Sequence, residues 1–253
     1  MHKFFAKTLF VGKKVNFLPQ CHSTNEEAQR LVSMGGCTDG ELVLTQNQTR
    51  GKGQRGNSWE SEPGKNLTFS IVLKPHFIHS TEQFSLHLIT SLAIHDVLFP
   101  ILGKKLKVKW PNDIYYGDQK IAGILVENII RGSSIEHSII GIGLNVNQKQ
   151  FETDIATSLS EITLSEYDLG DLIEDLLCSL EKRYLQLKNF HQSDLRADYH
   201  SRLYKLDKDA LFDSEGKIFK GTIEGVDAKG RLKINDGQTV NAYDFKQVEF
   251  VRN

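Results

Sequence analysis

Glycines and cations alternate in QTRGKGQRGNSWE, residues 48–60. The alternating residues are Arg50, Gly51, Lys52, Gly53, Arg55 and Gly56. Such a segment offers exposed backbone N–H groups beside positive side chains, which is the chemistry of a phosphate cradle. It carries neither the GxxxxGK[ST] pattern of a Walker P-loop nor a Rossmann fingerprint. The same residues also fit a solvated basic loop, or a single-stranded nucleic-acid site in which Trp59 is a stacking platform.

A second set of polar side chains ends the stretch KVKWPND. Val108 and Trp110 lie two apart, as on one face of a strand, and the proline that follows cannot donate to a strand ladder. The pattern predicts a strand that stops at the proline and a turn that contains Asn112 and Asp113. Strand-like residues resume in IYYGDQKIAGILVENII, so the whole predicts a hairpin. Asn and Asp are also common turn formers, so the turn alone does not assign them to chemistry.

Lys120 lies within this returning strand, where a lysine is less expected than on a helix face. It is compatible with a side chain that snorkels from a sheet edge. A glycine-rich loop, an in-strand lysine, a turn carboxylate and the strand end GIGLNVN together indicate something more specific. They predict a site for a polyphosphate and its magnesium ion.

The bulk composition limits the classes of function. A chain of 253 residues has room for one large domain, or for one of about 200 residues and a small one. Lys and Arg (31) nearly balance Asp and Glu (32), so the net charge of −1 gives no global attraction to nucleic acid or to an anionic membrane. Three cysteines without metal-ligand spacing indicate a reduced, cytoplasmic chain. We see no signal peptide and no apolar run that approaches membrane-spanning length, so we expect a soluble protein.

The elements that must position these groups are also indicated by the sequence. HSTNEEAQRLV predicts a helix, and Thr24 and Glu27 have the spacing of a capping box. Strands are predicted in GELVLTQNQT, NLTFSIVLKP and HSIIGIGLNVN, the first two on either side of the glycine-rich loop. FSLHLITSLAIHDVLFPIL predicts a buried helix in which His87 and His95 are core residues rather than ligands. Residues 171–190 carry the apolar spacing of an amphipathic helix.

The sequence pattern changes near residue 203. Short strand-like runs there are separated by DSEG, DAKG and NDG, which predicts a small antiparallel barrel or meander. We therefore predict one domain over residues 1–202 and a second over residues 203–253.

Six blocks resemble the biotin protein ligases in order and spacing. They are STN at 23–25, GKGQRGNSW at 51–59, GKNLTFS at 64–70, KWPND at 109–113, KIAGILVE at 120–127 and GIGLNVN at 141–147. The resemblance covers the chain from about Cys21 to its end. It implies an α+β fold of the class II synthetase-like biotin/lipoate ligase type, with helices on a mixed or antiparallel sheet, and a small C-terminal SH3-like β-barrel. Too few residues precede STN for a winged helix, so we expect the type without an N-terminal DNA-binding domain.

The resemblance implies a two-step ligase reaction. Biotin and ATP form biotinyl-5′-AMP and pyrophosphate, and the biotinyl group then passes to one lysine of the biotin carboxyl carrier domain of acetyl-CoA carboxylase or a related carboxylase. Two steps are needed because an amine cannot expel oxide from a carboxylate, whereas AMP leaves the mixed anhydride as a phosphate monoester. The expected cofactor is Mg²⁺, and the expected state is a cytoplasmic monomer or homodimer without DNA or membrane partners.

The resemblance also implies roles for individual residues. It assigns biotin binding to Ser23, Thr24, Asn25, Gln48, Gly51, Lys52, Gly53, Lys120 and Gly123. It assigns ATP binding to Gln54, Arg55, Trp59, Asn66, Asn112, Lys120 and Asn145. Catalysis falls to Lys52, Arg55 and Lys120, and Asp113 is the expected ligand of Mg²⁺.

One departure and two alternatives accompany this interpretation. Many biotin ligases have arginine at the positions of Lys52 and Gln54, so this loop carries less fixed charge with which to retain an adenylate. A lipoate or octanoate ligase of the same superfamily is the nearest alternative. A nucleic-acid-binding module built on the glycine-rich loop and the C-terminal barrel is the alternative from a different class, and the balanced charge disfavours it.

Overall fold

The structure is a computed structural model that describes residues 7–189 and 191–251, without the side chain of Arg55. Its larger sheet has seven strands in the order β1-β2-β3-β7-β6-β5-β4. They are β1 (Val15–Cys21), β2 (Glu41–Gln48), β3 (Leu67–Leu73), β4 (Leu106–Lys109), β5 (Asp113–Tyr116), β6 (Gln119–Arg131) and β7 (Ser134–Leu144). β1 runs parallel to β2, and the other neighbouring pairs are antiparallel. The predicted α+β fold on a mixed sheet is confirmed.

Both faces of the centre of this sheet are covered. Every residue of β3 is buried, and its alternating Leu67, Phe69, Ile71 and Leu73 belong to the main core, as the pattern predicts. The other face packs beneath helix α1 (Thr24–Ser33), whose Ala28 lies against residues of β2, β3 and β7. The sheet is therefore a middle layer, and its strand ends are rigid supports for a site.

The main core lies between the sheet and helices α2 (Phe84–Leu102) and α4 (Leu169–Lys188). The shorter helix α5 (Gln192–Ser201) packs against both, and α3 (Leu159–Thr163) bonds to the residues that follow β7. The amphipathic pattern of α4 is confirmed, since its apolar residues are buried against α2; the predicted last position, Phe190, is outside the described residues. His87 and His95 are buried in α2 as predicted, and burial lowers the pKa of each to about 4.

The region around α2 corrects one expectation. Residues 80–105 contain an 18-residue window of mean hydropathy 1.5, so this segment is long and apolar enough to cross a membrane by length and composition. The expectation that no apolar run approaches this length is wrong. The reason is that α2 is a core helix: 67% of the apolar window is buried within the protein.

A second, antiparallel sheet follows residue 203. Its strands are β8 (Asp209–Ser214), β9 (Lys217–Val226), β10 (Leu232–Asn235), β11 (Val240–Tyr243) and β12 (Glu249–Phe250), in the order β11-β10-β9-β8-β12. The predicted antiparallel strands are confirmed, while their closure into an SH3-like barrel and the boundary at 203 stay predictions. The indole Nε1 of Trp110 donates to the carbonyl of Gly230 at 2.8 Å, which joins the second sheet to the end of β4.

Candidate active site

Glycines form the floor of a cavity on the face of β6 and β7. Gly123 lies opposite Gly143 in the strand register. A Cβ at Gly143 would lie 2.3 Å from the ring of Trp59, and one at Gly141 would lie 2.3 Å from Oδ1 of Asn25. A larger residue at either position would therefore displace the side chains that surround the cavity.

Most of the predicted site residues line this cavity. Those in its lining are Ser23, Asn25, Gln48, Lys52, Gly53, Gln54, Trp59, Asn112, Lys120 and Gly123. They come from the start of α1, the end of β2, the glycine-rich loop, the turn before β5, and β6. Segments distant in the sequence therefore meet at one place.

One end of the cavity is a network of neutral hydroxyl and amide groups, backed by the carboxylate of Glu127. The Oε1 atom of Gln48 accepts from the backbone N–H of Thr24 at 2.9 Å and from its hydroxyl at 3.3 Å. The hydroxyl of Ser70 lies 2.7 Å from Oγ1 of Thr24 and 2.6 Å from Oδ1 of Asn25. The amide of Asn25 donates to Oε2 of Glu127 at 2.7 Å. This end is suited to a neutral ligand group with both donors and acceptors.

The capping box predicted for α1 is wrong. Ser23 is the N-cap residue, and its hydroxyl accepts no capping hydrogen bond, while Thr24 is already the first residue of the helix. The hydroxyl of Thr24 is engaged by Gln48 and Ser70, because the end of β2 and the middle of β3 lie beneath this turn. The hydroxyl of Ser23 thus belongs to the cavity lining, and that of Thr24 to the hydrogen-bond network behind it.

Two members of this network, Ser70 and Glu127, were missed from the sequence. Ser70 is a buried polar residue on the face of β3 opposite its apolar alternation. Glu127 follows Gly123 by four residues along β6 and so lies on the same face of the strand. Those two signals were available, but each alone is a common feature of a sheet.

The glycine-rich loop folds as a small hairpin over the cavity. The N–H groups of Thr49 and Arg50 donate to carbonyls of Cys21 and His22, each at 2.9 Å, and this fixes the stem of the loop to the end of β1. Within the loop, the N–H of Trp59 donates to the carbonyl of Gly51 at 2.8 Å. A Cβ at residue 51 would lie 2.3 Å from the carbonyl oxygen of Trp59, so the crossing requires glycine.

Trp59 lies between the loop and the glycine floor. Its ring is within van der Waals distance of the backbone at Gly143 and Gly123. The ammonium of Lys120 lies 5.4 Å from the ring centroid, within the range of a cation–π contact. The indole Nε1 is buried and donates to no group in the described part of the protein. Trp59 therefore gives the cavity an aromatic wall whose buried N–H is unpaired among the described residues.

The cationic end of the cavity is built by the predicted hairpin, which is confirmed except that Asp113 lies in the second strand and not in the turn. β4 stops at Lys109, Asn112 lies in the turn, and Asp113 begins β5. The side-chain amide of Asn112 donates to the carbonyl of Ile124 at 2.8 Å, and the backbone carbonyl of Asn112 accepts from the N–H of Ile124 at 2.9 Å. This pair of bonds locks the turn to β6 and places Asp113 beside Lys120, with Nζ 2.7 Å from Oδ1.

Asp113 is the residue here that could hold a magnesium ion. Its Oδ1 atom is buried and accepts no aligned hydrogen bond from any described residue, despite the close ammonium of Lys120. No cluster of three or more His, Cys, Asp or Glu side chains exists among residues 7–189 and 191–251. Mg²⁺ is commonly held by one or two carboxylates with substrate phosphates and water, and a single Asp113 fits that arrangement.

The remaining predicted residues are placed differently. Asn145 has a buried Oδ1 atom without a described partner, while its amide nitrogen donates to the carbonyl of Thr157 at 3.0 Å. Asn66 lies apart from the lining, because its Oδ1 atom accepts from the N–H of Val146 at 3.0 Å and its amide nitrogen donates to Gln148. The side chain of Arg55 lies outside what the structure describes.

Known protein ligases are similar to this chain in sequence. Residues 17–145 match the model of the biotin/lipoate A/B protein ligase family. The bifunctional ligase/repressor BirA of Escherichia coli is 32% identical over 230 residues, which cover 88% of this chain and 70% of that protein. The biotin--[acetyl-CoA-carboxylase] ligase of Mycobacterium tuberculosis is 27% identical over 230 residues, covering 89% of this chain and 84% of that protein.

A solved structure is similar over nearly the whole chain. The biotin protein ligase from Aquifex aeolicus, in complex with biotin and ATP, is 26% identical and superposes with a TM-score of 0.80. The match covers 95% of this chain and all of that one.

Proposed function

This chain belongs to the biotin/lipoate A/B protein ligase family, and we propose that its cavity binds biotin and ATP next to each other and joins them. The protein is an ATP-dependent biotin ligase: it activates biotin as biotinyl-5′-AMP and transfers the biotinyl group to a carboxylase. The observation that carries the proposal is a single cavity with a neutral hydrogen-bonding end and a cationic end. A glycine floor joins the two ends.

The neutral end suits the ureido ring of biotin. That ring has two N–H donors and one carbonyl acceptor, and Ser23, Thr24 and Gln48 present hydroxyl and amide groups to them. The dithiolane of lipoate forms no comparable hydrogen bonds. It would leave buried polar groups unpaired at a cost of about 1–3 kcal/mol each. The network thus favours biotin over the lipoate alternative.

The cationic end suits the meeting of two anions. A carboxylate oxygen of biotin attacks the α-phosphorus of ATP, the bond to the β-phosphate oxygen breaks, and pyrophosphate leaves. We propose that the ammonium of Lys120 contacts both the carboxylate and the α-phosphate. Lys52 and Arg55, the cations of the loop, are assigned to stabilise the same negative charge. A magnesium ion on Asp113 would neutralise the phosphates of ATP. The loop, which covers the cavity, keeps water from the anhydride.

The nucleotide base is assigned to the end of β7. We place adenine against Trp59, where the free indole face allows stacking, with Asn112 and Asn145 at its edge. The unpaired Oδ1 of Asn145 is suited to accept from the exocyclic amine of adenine. Asn66 then acts on ATP indirectly, by holding the backbone of Val146 beside this position.

The carrier domain is proposed to dock on the open edge of β6. The backbone of Ile124 bonds to Asn112 on the edge of β6 that faces β5. The direction of backbone hydrogen bonds alternates along a strand, so the N–H and C=O groups of Val126 and Asn128 face the same edge. No described strand pairs with β6 there, because β5 reaches only Gly123. An exposed strand edge can accept a strand of a partner protein.

A groove beside this edge continues to the second sheet. Lys229 and Lys246 line it, and Gln54 borders both the groove and the cavity. We propose that the carrier is the biotin carboxyl carrier domain of acetyl-CoA carboxylase or a related enzyme in the cytoplasm. Its neutral lysine amine attacks the anhydride carbonyl, and AMP leaves. The same edge is open to a second copy of the chain, so we propose a monomer or a homodimer.

A pyrophosphate assay tests this function. We expect release that requires biotin and ATP together and is at least tenfold slower with lipoate. A mass shift of one biotinyl group on an added carrier domain tests the second step. Faster pyrophosphate release with lipoate than with biotin would support a lipoate ligase instead.

A further inference from the structure

The pairing of Glu26 with Lys52 links α1 to the glycine-rich loop across the mouth of the cavity. Oε1 of Glu26 lies 2.6 Å from Nζ of Lys52. We infer that Glu26 is a positioning residue that keeps the loop closed over the bound adenylate. This inference rests on the proposed function for the identity of the ligand, and on the contact itself for the restraint.

The loop needs such a restraint at its tip. Its stem is fixed by the backbone bonds of Thr49 and Arg50 to the end of β1. Trp59 holds the other end of the loop on the glycine floor, and between the stem and Trp59 the loop bonds to itself, such as the N–H of Gly53 donating to the carbonyl of Asn57 at 2.7 Å. In the part of the loop whose side chains are described, the ion pair of Lys52 is the one that reaches α1. Loss of that pair leaves the stem and Trp59 in place and loosens the tip between them.

The pair can hold Lys52 in place without using up its charge. An ammonium has three N–H donors, so one can serve Glu26 while the others face an anion in the cavity. The pKa of Lys52 is raised by its hydrogen bond with Glu26 and by the charges of Glu26 and Glu127, so the side chain stays protonated. Lys52 itself lines the cavity. Glu26 does not, so it acts on the ligand only through Lys52.

A matched control lies one residue away. Glu27 is in the same first turn of α1, but its carboxylate pairs with Arg30 of the same helix at 2.9 Å. Glu26→Gln and Glu27→Gln therefore remove the same charge from the same turn. Only Glu26→Gln removes the ion pair between α1 and the glycine-rich loop.

The test measures the loop and the intermediate separately. In the ligand-free protein, trypsin cleavage after Lys52 and Arg50 should be faster in Glu26→Gln than in wild type or Glu27→Gln. With biotin and ATP, the escape of biotinyl adenylate, trapped with hydroxylamine, should rise about two- to fivefold in Glu26→Gln, the range of a half-exposed ion pair. Salt at 1 M should bring wild type close to Glu26→Gln, since it screens such pairs. Glu26→Asp should restore part of the retention.

Equal cleavage and equal escape for Glu26→Gln and Glu27→Gln would overturn the inference. Failure of the proposed function has a different signature, because wild type would then form no adenylate at all. The cleavage comparison needs no ligand, so it decides on the restraint in either case.

Discussion

Nζ of Lys120 lies 2.7 Å from Oδ1 of Asp113, and both residues belong to one hairpin. Asp113 begins β5 and Lys120 is the second residue of β6, so the tight turn between these strands sets their separation. Trp59 lies on another side of the same ammonium. Lys120 is therefore oriented before any ligand arrives, which reduces the reorganisation needed in the reaction.

We predict that Lys120→Ala lowers the rate of pyrophosphate release about 30- to 1,000-fold. A charge-assisted contact made mainly in the transition state contributes about 2–4 kcal/mol. The fold should persist, because the side chain is at the surface of the cavity. Lys149→Ala, at an exposed site after β7, is the control. Near wild-type release by a folded Lys120→Ala protein would remove Lys120 from catalysis.

We predict that Asp113→Asn raises the magnesium concentration for half-maximal activity more than it raises the KM for biotin. An amide is a weaker ligand for Mg²⁺ than a carboxylate. The measurement is a magnesium titration of pyrophosphate release at saturating biotin. An unchanged magnesium midpoint with a lower kcat would instead mean that Asp113 acts only by orienting Lys120.

Much of the fold could be predicted from local patterns. Apolar alternation predicts β3, and the proline predicts the end of β4. Both signals come from residues that are neighbours in the sequence, and both predictions are confirmed. Thr24 is different, because the choice between a helix cap and a cavity wall depends on Gln48 and Ser70, which are distant in the sequence. A capping box is a local rule, and tertiary contacts overrode it.

The site was predictable as a set of segments but not as a geometry. The family resemblance named the glycine-rich loop and Lys120, and the structure brings them to one cavity. The Glu26 contact and the engagement of Asn66 by Val146 depend on how the loop and the end of β7 lie in space. No spacing in the sequence carries that information.

We predict that Asn128→Pro weakens transfer to the carrier without weakening adenylate formation. Proline removes the N–H group that faces the open edge, and edge positions of this kind tolerate proline. The KM for the carrier domain should rise at least tenfold, with biotin-dependent pyrophosphate release unchanged. Asn128→Ala is the control, since it loses only the side-chain bond to Gln83. Equal transfer by both variants would argue against docking on this edge.

We predict a loss of stability between pH 6.5 and 4 that depends in part on His87. Burial lowers its pKa to about 4, so in this range the unfolded chain takes up a proton that the folded protein does not. Stability therefore falls as the pH falls, by about 3 kcal/mol at most for this group. His87→Phe should flatten the decline, as measured by urea unfolding at pH 7 and 4.5. Exposed His76→Gln is the control, and an equal decline in both variants would contradict the prediction.

Gln54 borders both the cavity and the groove through which the carrier is proposed to approach. An arginine there would add a charge-assisted hydrogen bond to the adenylate, about 1.5–3 kcal/mol better than a neutral amide. Gln54→Arg should therefore slow the escape of biotinyl adenylate about 10- to 100-fold, at 1.4 kcal/mol per decade.

Escape is followed by hydroxylamine trapping without carrier, in wild type, Gln54→Arg and Arg55→Ala. We expect slow escape from Gln54→Arg alone, since the neutral Gln54 of the natural loop leaves one side of the phosphate without a cation. Equal escape from wild type and Gln54→Arg, with fast escape from Arg55→Ala, would mean that Arg55 already supplies this charge. A further cation at residue 54 then has no unpaired phosphate oxygen to contact, and the lower charge of this loop has no effect on retention.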